Sequence, residues 1–253
     1  MRLSSRDLEL LDKLYRHHFL SFYQIQSEFF NNCAKPTVYN RLSKLIKARF
    51  ISVLRTNLYA HHLDGRMVSA VYQITKNGIK ILQSFFPEKS FGREPLSLNM
   101  GSLYHDLVLT DVCKNLESAF EDKESATFQR SRFASEFSEK VPDALMIDSR
   151  THKTWAVELE LSAKSEERYR DIVVSYRLSK IFEKVIYVYQ NDDVRNKIGA
   201  VITGFGKQYK PSDCTDRFYF VSLSDFLRTP KSAVISNGRE QLTSLRSEQG
   251  VSA

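Results

Sequence analysis

Three acidic residues in the middle of the chain are spaced so that a cation could bind among them. Asp143 lies in the segment PDALMID, while Glu158 and Glu160 lie in TWAVELEL, and both segments have the composition and length of strands. A turn centred between Arg150 and Thr151 would pair these strands antiparallel and place Asp143 directly opposite Glu158. Because side chains two residues apart point to one face of a strand, Glu160 would lie on that face too.

Carboxylates that share one face of a sheet destabilise the strands unless a positive charge lies among them. A divalent metal supplies such a charge, since Mg²⁺ takes oxygen ligands from one or two carboxylates and completes its shell with water and phosphate oxygens. The sequence therefore predicts a Mg²⁺ or Mn²⁺ site at Asp143, Glu158 and Glu160. The alternative is that these acids lie on a solvated strand edge or pair with basic residues nearby.

Two cationic residues follow the acidic strand. Lys164 comes just after it, and Arg168 lies one turn later on the same face of the predicted helix. A cation at Lys164 would stabilise the charge that develops on a phosphate group during displacement, or orient the attacking water. Arg168 is predicted to contact DNA. Other positions of this helix follow the period of a buried face and are predicted to pack rather than to act as nucleophiles: Tyr169, Ile172, Val173 and Tyr176.

The composition is that of a globular protein with room for two domains. Of the 253 residues, 42% are hydrophobic and 26% are charged, which excludes a disordered or fibrous chain. Cys33, Cys113 and Cys214 lie far apart and form no CxxC pair, so neither a disulfide framework nor a zinc site is predicted. Without a long apolar run or the layout of a signal peptide, we expect a cytoplasmic protein with no membrane insertion.

The positive charge of the chain is concentrated at its front. Residues 1–90 contain 14 lysines and arginines against 6 acidic residues, whereas residues 91–253 contain 23 against 24. A basic segment followed by a nearly neutral one is typical of a protein that binds nucleic acid, because Lys and Arg release counterions from phosphates. The alternative is a basic surface that is merely well solvated.

Residues 1–90 show the order of elements of a winged helix-turn-helix domain. Apolar spacing predicts helices over 6–15 and 21–30 and a third helix that begins at Pro36. Two strands follow at 51–60 and 67–75 around a polar loop, and a closing helix follows Thr75. The third helix carries donor-rich side chains on one face, suited to base edges and phosphates of DNA: Thr37, Asn40, Arg41, Lys44 and Lys47. The alternative is a winged helix that contacts another protein.

A segment rich in proline and charge, 87–98, marks the predicted boundary between two domains. Residues 98–230 then alternate between helical and strand patterns, starting with a helix in GSLYHDLVLTDVCKNLESAF and a strand in TFQRSRF. This alternation predicts an α/β or α+β sheet with flanking helices. Residues 231–253 are rich in Ser, Gln and Gly and are predicted to form a flexible tail.

The acidic motif resembles that of the PD-(D/E)xK nucleases, whose mixed sheet, like that of restriction endonucleases, holds an acidic metal site. The resemblance rests on Pro142-Asp143, on the ExE of Glu158 and Glu160, and on a following lysine. One departure matters, because the lysine expected two places after the second acid is replaced by Glu160. Lys164, from the neighbouring helix, would then have to take the role of that lysine.

The whole layout resembles more closely the replication-relaxation family and the MobC-type relaxases of mobilisable plasmids. The resemblance rests on LYHDLVLTDV, VPDALMID and AVELELSAKSEERYRDIVVSY, and spans roughly residues 1–190. It implies nicking of double-stranded DNA at a plasmid transfer origin, after which the protein could also bind single-stranded DNA. It further implies partners, namely the accessory and coupling proteins of a relaxosome. It also adds His105 and Glu136 to the catalytic candidates Asp143, Glu158, Glu160 and Lys164. His105 could equally be a structural histidine at a contact between helix and sheet.

Two functions follow from these patterns. The first is a metal-dependent DNA endonuclease or relaxase acting in conjugative mobilisation. The second is a DNA-binding regulator or accessory protein of plasmid replication or mobilisation that has no catalytic activity. The absence of the motif lysine favours this second function. A tyrosine relaxase with a two-histidine metal site is excluded, because none of the six histidines forms a His-hydrophobic-His element.

Overall fold

The computed structural model describes residues 2–60, 65–92, 94–95, 97, 99–120, 123–127, 141–148, 151–208 and 215–242. It is a mixed α/β protein that divides into two compact units, Met1–Thr110 and Asp111–Ala253. No helix in these ranges combines the length and the apolar character that crossing a membrane requires.

The first unit contains the predicted order of helices and strands, with one short strand in addition. Its elements are α1 (Ser5–His17), β1 (Phe19–Ser21), α2 (Phe22–Phe29), α3 (Lys35–Lys47), β2 (Ile51–Ala60), β3 (Arg66–Ile74) and α4 (Lys76–Phe85). The strands form an antiparallel sheet in the order β1-β3-β2. The added strand β1 comprises three buried residues, which is too short for an alternating pattern to reveal.

Local capping explains where the first helices begin. Ser4 and Asp7 form a reciprocal capping box at the start of α1, and Ser21 and Gln24 do the same for α2. Each box satisfies backbone amides that have no partner inside the helix. Thr75 caps α4, and its side chain accepts from the amide of Gly78 at 3.2 Å. The apolar faces of these helices meet one face of the sheet in a core that includes Leu10, Leu14, Ile25, Val38, Leu42, Leu45, Tyr72 and Leu82.

The opposite face of this small sheet packs on the next helix, α5 (Leu103–Ala119). Leu103 and Leu107 form a buried cluster with Phe19, Val68 and Val71. The residues up to Thr110 therefore belong to the first unit, whereas the sequence pattern places the boundary at 87–98. The difference arises because composition marks the linker but does not show which apolar face the following helix covers.

The second unit is built on a seven-stranded mixed sheet. Its elements are β4 (Lys123–Thr127), β5 (Ala144–Asp148), β6 (Thr154–Glu160), α6 (Glu166–Leu178), β7 (Phe182–Tyr189), α7 (Asp192–Gln208), β8 (Phe218–Ser222), α8 (Leu223–Arg228), β9 (Ile235–Ser236) and β10 (Gln241–Leu242). The strand order is β10-β9-β8-β7-β6-β5-β4. Strand β7 is parallel to β6 and β8, and the other neighbours are antiparallel.

One prediction for this unit needs correction, and another lies mostly outside the described residues. Strand β4 covers Lys123–Thr127, and the rest of the strand predicted in TFQRSRF, residues 128–133, is not described. The predicted tail at 231–253 contributes β9 and β10 to the edge of the sheet, and residues 243–253 are not described. Strands of two residues leave no periodic pattern, so composition alone suggested a tail.

Strand β6 is buried at all seven positions, as expected for a central strand that is covered on both faces. Helices α6 and α7 cover one face through a cluster that includes Ala156, Tyr169, Val173, Tyr176, Val185, Tyr187 and Ile198. On the other face, the ring of Phe120 meets Trp155 edge to face, with the ring centroids 5.2 Å apart. The carboxylates of β6 thus lie within a core and not on a solvated edge.

Candidate active site in the second unit

The register of the β5–β6 hairpin places Asp143 beside the end of β6. Ala144 pairs with Val157 and Ile147 with Thr154, so that one further step along the same register brings Asp143 opposite Glu158. The backbone amide of Leu159 donates to Asp143 Oδ2 at 2.8 Å, which fixes the carboxylate at this position. This is the register that the turn centred between residues 150 and 151 predicts.

Glu158 is fully buried, at 0% exposure, and accepts a hydrogen bond from the hydroxyl of Tyr176. Tyr176 lies on α6 at a core position, as predicted, but it also supports the carboxylate. Burial, followed by the negative charge of Glu158, raises the pKa of Tyr176 well above its ordinary value. Tyr176 is therefore protonated at neutral pH, so that it acts as a hydrogen-bond donor and not as a nucleophile.

Glu160 is also buried and forms an ion pair with Lys164. The Lys164 side chain is 23% exposed, so its ammonium group connects a buried acid with the surface. The backbone amide of Lys164 donates to the hydroxyl of Tyr169 at 3.1 Å, and this hydrogen bond connects the loop after β6 to helix α6. The structure thus brings Lys164 to the predicted acidic strand.

Tyr187 was not singled out from the sequence, although it is the closest neighbour of Glu158 on the next strand. The parallel register pairs Glu158 with Tyr187, and the Tyr187 side chain is fully buried. Its hydroxyl has no hydrogen-bond partner within the part of the chain that the structure describes. Burial, followed by the charges of Glu158 and Glu160, raises the pKa of Tyr187 well above its ordinary value. A pairing between strands 29 residues apart has no local sequence pattern that could have revealed it.

The described residues contain no group of three or more Asp, Glu, His or Cys side chains arranged to hold a metal ion. Of the three predicted carboxylates, Glu160 forms an ion pair with Lys164. Asp143 and Glu158 still offer hard oxygen atoms side by side, and Mg²⁺ needs only one or two carboxylates when water and phosphate complete its shell. A carboxylate that accepts one hydrogen bond keeps further lone pairs for a metal.

Three further residues are predicted from the sequence: His105 and Glu136 as catalytic candidates, and Arg168 as a DNA contact. His105 lies in the first unit, where its Nδ1 is 3.3 Å from Asp106 Oδ1. Glu136 lies outside the described residues. Arg168 is exposed in the first turn of α6, where its backbone amide donates to the cap residue Ser165.

Helix α3 of the first unit presents most of the predicted DNA-binding side chains to solvent. Thr37, Asn40, Lys44 and Lys47 are exposed. Arg41 differs, because its guanidinium forms an ion pair with the buried carboxylate of Asp7. Arg41 is thus ion-paired within the first unit, and its contact with DNA stays a prediction.

The ion pair between Asp7 and Arg41 is strong enough to change the pKa of both groups. Burial alone would raise the pKa of Asp7, but hydrogen bonds from Arg41 and Ser4 outweigh it and lower that pKa. The hydrogen bond to Asp7 in turn raises the pKa of Arg41. Arg41 therefore holds the start of α1 against α3.

Comparison of the chain with protein-family models, with curated proteins and with solved structures produced no match. The resemblance to PD-(D/E)xK nucleases and to MobC-type relaxases thus stays a prediction from motifs.

Proposed function

We propose that the protein is a DNA-binding endonuclease that nicks one strand with the help of Mg²⁺ or Mn²⁺. The observation that carries this proposal is the position of Asp143 beside Glu158 at the end of two paired strands, with Lys164 ion-paired to the next acid, Glu160. This combination of carboxylates and a lysine is what hydrolysis of a phosphodiester needs. Its motif resembles the PD-(D/E)xK nucleases, so we propose a restriction-endonuclease-like fold for the second unit.

In this proposal Asp143 and Glu158 would hold the metal, which would supply positive charge to activate a water or hydroxyl and to neutralise charge on the phosphate. Tyr176 keeps the Glu158 carboxylate in place by donating a hydrogen bond to it. Lys164 places its positive charge where it can stabilise the negative charge that develops on the phosphate. The Lys164 side chain is partly exposed, so a phosphate group at the protein surface could reach its ammonium group.

We propose that the first unit is a winged helix that binds double-stranded DNA. Three helices followed by a two-stranded β2–β3 ribbon support this, as does the exposed polar face of α3. An α-helix with exposed donors fits the major groove, and lysines beside it neutralise phosphates. By the motif resemblance, the substrate would be a plasmid transfer origin, and the partners would be relaxosome accessory and coupling proteins.

The decisive experiment measures nicking of supercoiled plasmid DNA by the full chain with Mg²⁺, with Mn²⁺ and with EDTA. Asp143→Asn and Glu158→Gln keep the shape of the side chains while removing their charge, and each should lower the nicking rate about 100-fold, equivalent to about 3 kcal/mol of transition-state stabilisation. The control Glu166→Gln removes an exposed acid of α6 and should leave the rate unchanged. Nicking that is independent of metal, or that proceeds in both site variants at the rate of the parent chain, would refute the proposed site.

A second candidate function is a DNA-binding regulator without catalysis. The burial of Glu158 and Glu160, together with their bonds to Tyr176 and Lys164, favours it, because these contacts also describe acids with a purely structural role. The same experiment separates the two functions. A regulator would bind DNA but leave supercoiled plasmid intact with either metal.

A further inference from the structure

The first unit contains a basic depression between the start of the chain and helix α3. Its volume is about 670 Å³, and it is open to solvent. Arg2 and Arg6 line it on the side of α1, Thr37 and Arg41 line it on the side of α3, and Phe30 also lines it. Phe30 is only 4% exposed, so its ring belongs to the body of the unit.

The charges in this depression are not balanced. The carboxylate of Asp7 is engaged by Arg41, and that pair is neutral as a whole. Arg2 and Arg6 are exposed, and neither forms an ion pair with any residue that the structure describes. The depression thus carries an excess of two positive charges, which an anion would neutralise.

The guanidinium of Arg6 is also held in place. It lies over the ring of Phe30, with the Cζ atom 4.8 Å from the ring centroid. Stacking on an aromatic face restricts the planar group and leaves its edge donors available for an oxygen anion. The backbone amides at the start of α1 do not carry the inference, because Ser4 and Asp7 already cap that helix.

We propose that this depression binds a phosphodiester group of the DNA strand that runs beside α3. Thr37 belongs both to the lining of the depression and to the exposed polar face of α3. A phosphate held by Arg2 and Arg6 therefore lies next to the DNA that this face would read. Contacts of this kind position a protein on the duplex without reading its sequence. The inference rests on the proposed DNA binding by the first unit and adds a phosphate clamp to it.

The test measures the affinity of the full chain for three duplexes of unrelated sequence over a range of salt concentrations. Arg2→Ala and Arg6→Ala should each weaken binding about 10-fold at low salt, and by the same factor on all three duplexes. The double variant should lower the steepness of the salt dependence by about one, since Arg2 and Arg6 hold one phosphate and each lost phosphate contact lowers it by about one. Lys80→Ala is the matched control, because it removes an exposed charge of α4 that does not line the depression, and it should change neither quantity.

Two further arms separate the possible failures. If Lys44→Ala and Lys47→Ala weaken DNA binding while the arginine variants do not, the phosphate clamp is overturned and the proposed DNA binding stands. If none of these variants binds DNA more weakly than the parent chain, DNA binding through this unit fails as well. Calorimetric titration with inorganic phosphate adds a source control. Phosphate binding that is lost in the double variant, with DNA affinity unchanged, would show a site for a free anion and overturn the clamp.

Discussion

At the scale of single residues, two buried tyrosines beside Glu158 differ in one respect that can be measured. Tyr176 donates its hydroxyl hydrogen to the carboxylate, whereas the Tyr187 hydroxyl has no hydrogen-bond partner in the described part of the chain. Both side chains are at most 2% exposed. They therefore form a matched pair in which hydrogen bonding varies and burial does not.

Replacement of these tyrosines by phenylalanine should have unequal effects on stability. Tyr176→Phe should lower the free energy of unfolding by about 1–3 kcal/mol, because a buried carboxylate loses a donor. Tyr187→Phe should leave it unchanged or raise it by about 1 kcal/mol, because the hydroxyl that it removes is buried without a partner. Urea unfolding of both variants checks this. An equal loss in both would show that the Tyr187 hydroxyl binds a group such as a buried water.

The position of a single residue could be predicted from the sequence where it depends only on nearby residues of the chain. The antiparallel register between Asp143 and Glu158 follows from the length of one turn, so the pairing could be predicted by counting residues. The ion pair between Asp7 and Arg41 joins residues 34 positions apart, and no spacing rule could separate Arg41 from its exposed neighbours. The metal ligands and the chemistry assigned to them stay predictions.

At the scale of elements, helix α4 packs closely against Phe50, which follows the C-terminal end of α3. The third residue of α4, Gly78, has no room for a side chain there. A Cβ atom at Gly78 would overlap the carbonyl oxygen of Phe50 and would lie 2.7 Å from Cγ1 of Ile74. Gly199, in α7, has nothing within 4 Å of the same position. These two helical glycines thus differ in the space around them.

Gly78→Ala should lower the free energy of unfolding of the first unit by about 1–3 kcal/mol, because backbone must move to admit the methyl group. Gly199→Ala should raise stability by up to about 1 kcal/mol, because alanine is the better helix former and nothing obstructs it. Thermal unfolding followed by circular dichroism measures both. A stabilising Gly78→Ala would contradict the close packing of α4.

Most helices and strands could be predicted because caps and apolar periods are properties of short segments. Ser21 and Thr75 begin α2 and α4 as expected. The short strands β1, β9 and β10 escaped prediction because sheet neighbours, and not their own composition, make them strands.

At the scale of the whole molecule, the charge is distributed so that one part of the chain should dominate binding to polyanions. The excess of eight positive charges lies in residues 1–90, within the first unit. The remaining residues are nearly neutral. A mixed α/β fold is what the alternating patterns predicted, and the structure shows it.

Affinity for duplex DNA should therefore depend steeply on salt. If Lys44 and Lys47 contact one phosphate each and Arg2 and Arg6 share another, about three phosphate contacts give a slope near −2.7 in a plot of log affinity against log salt concentration. An increase from about 50 to 200 mM salt should then weaken binding about 40-fold. Fluorescence anisotropy with a labelled duplex measures the slope. A slope close to zero would show that these cations do not contact DNA.

The leucines at the start of α5 determine how short a soluble fragment of the first unit can be. Leu103 and Leu107 shield Phe19, Val68 and Val71 from water. A polypeptide that stops at residue 90, where the sequence pattern ends its first domain, would leave that apolar face of the sheet bare. Such a fragment is expected to self-associate, and a version that runs through Thr110 is the shortest one expected to stay monomeric.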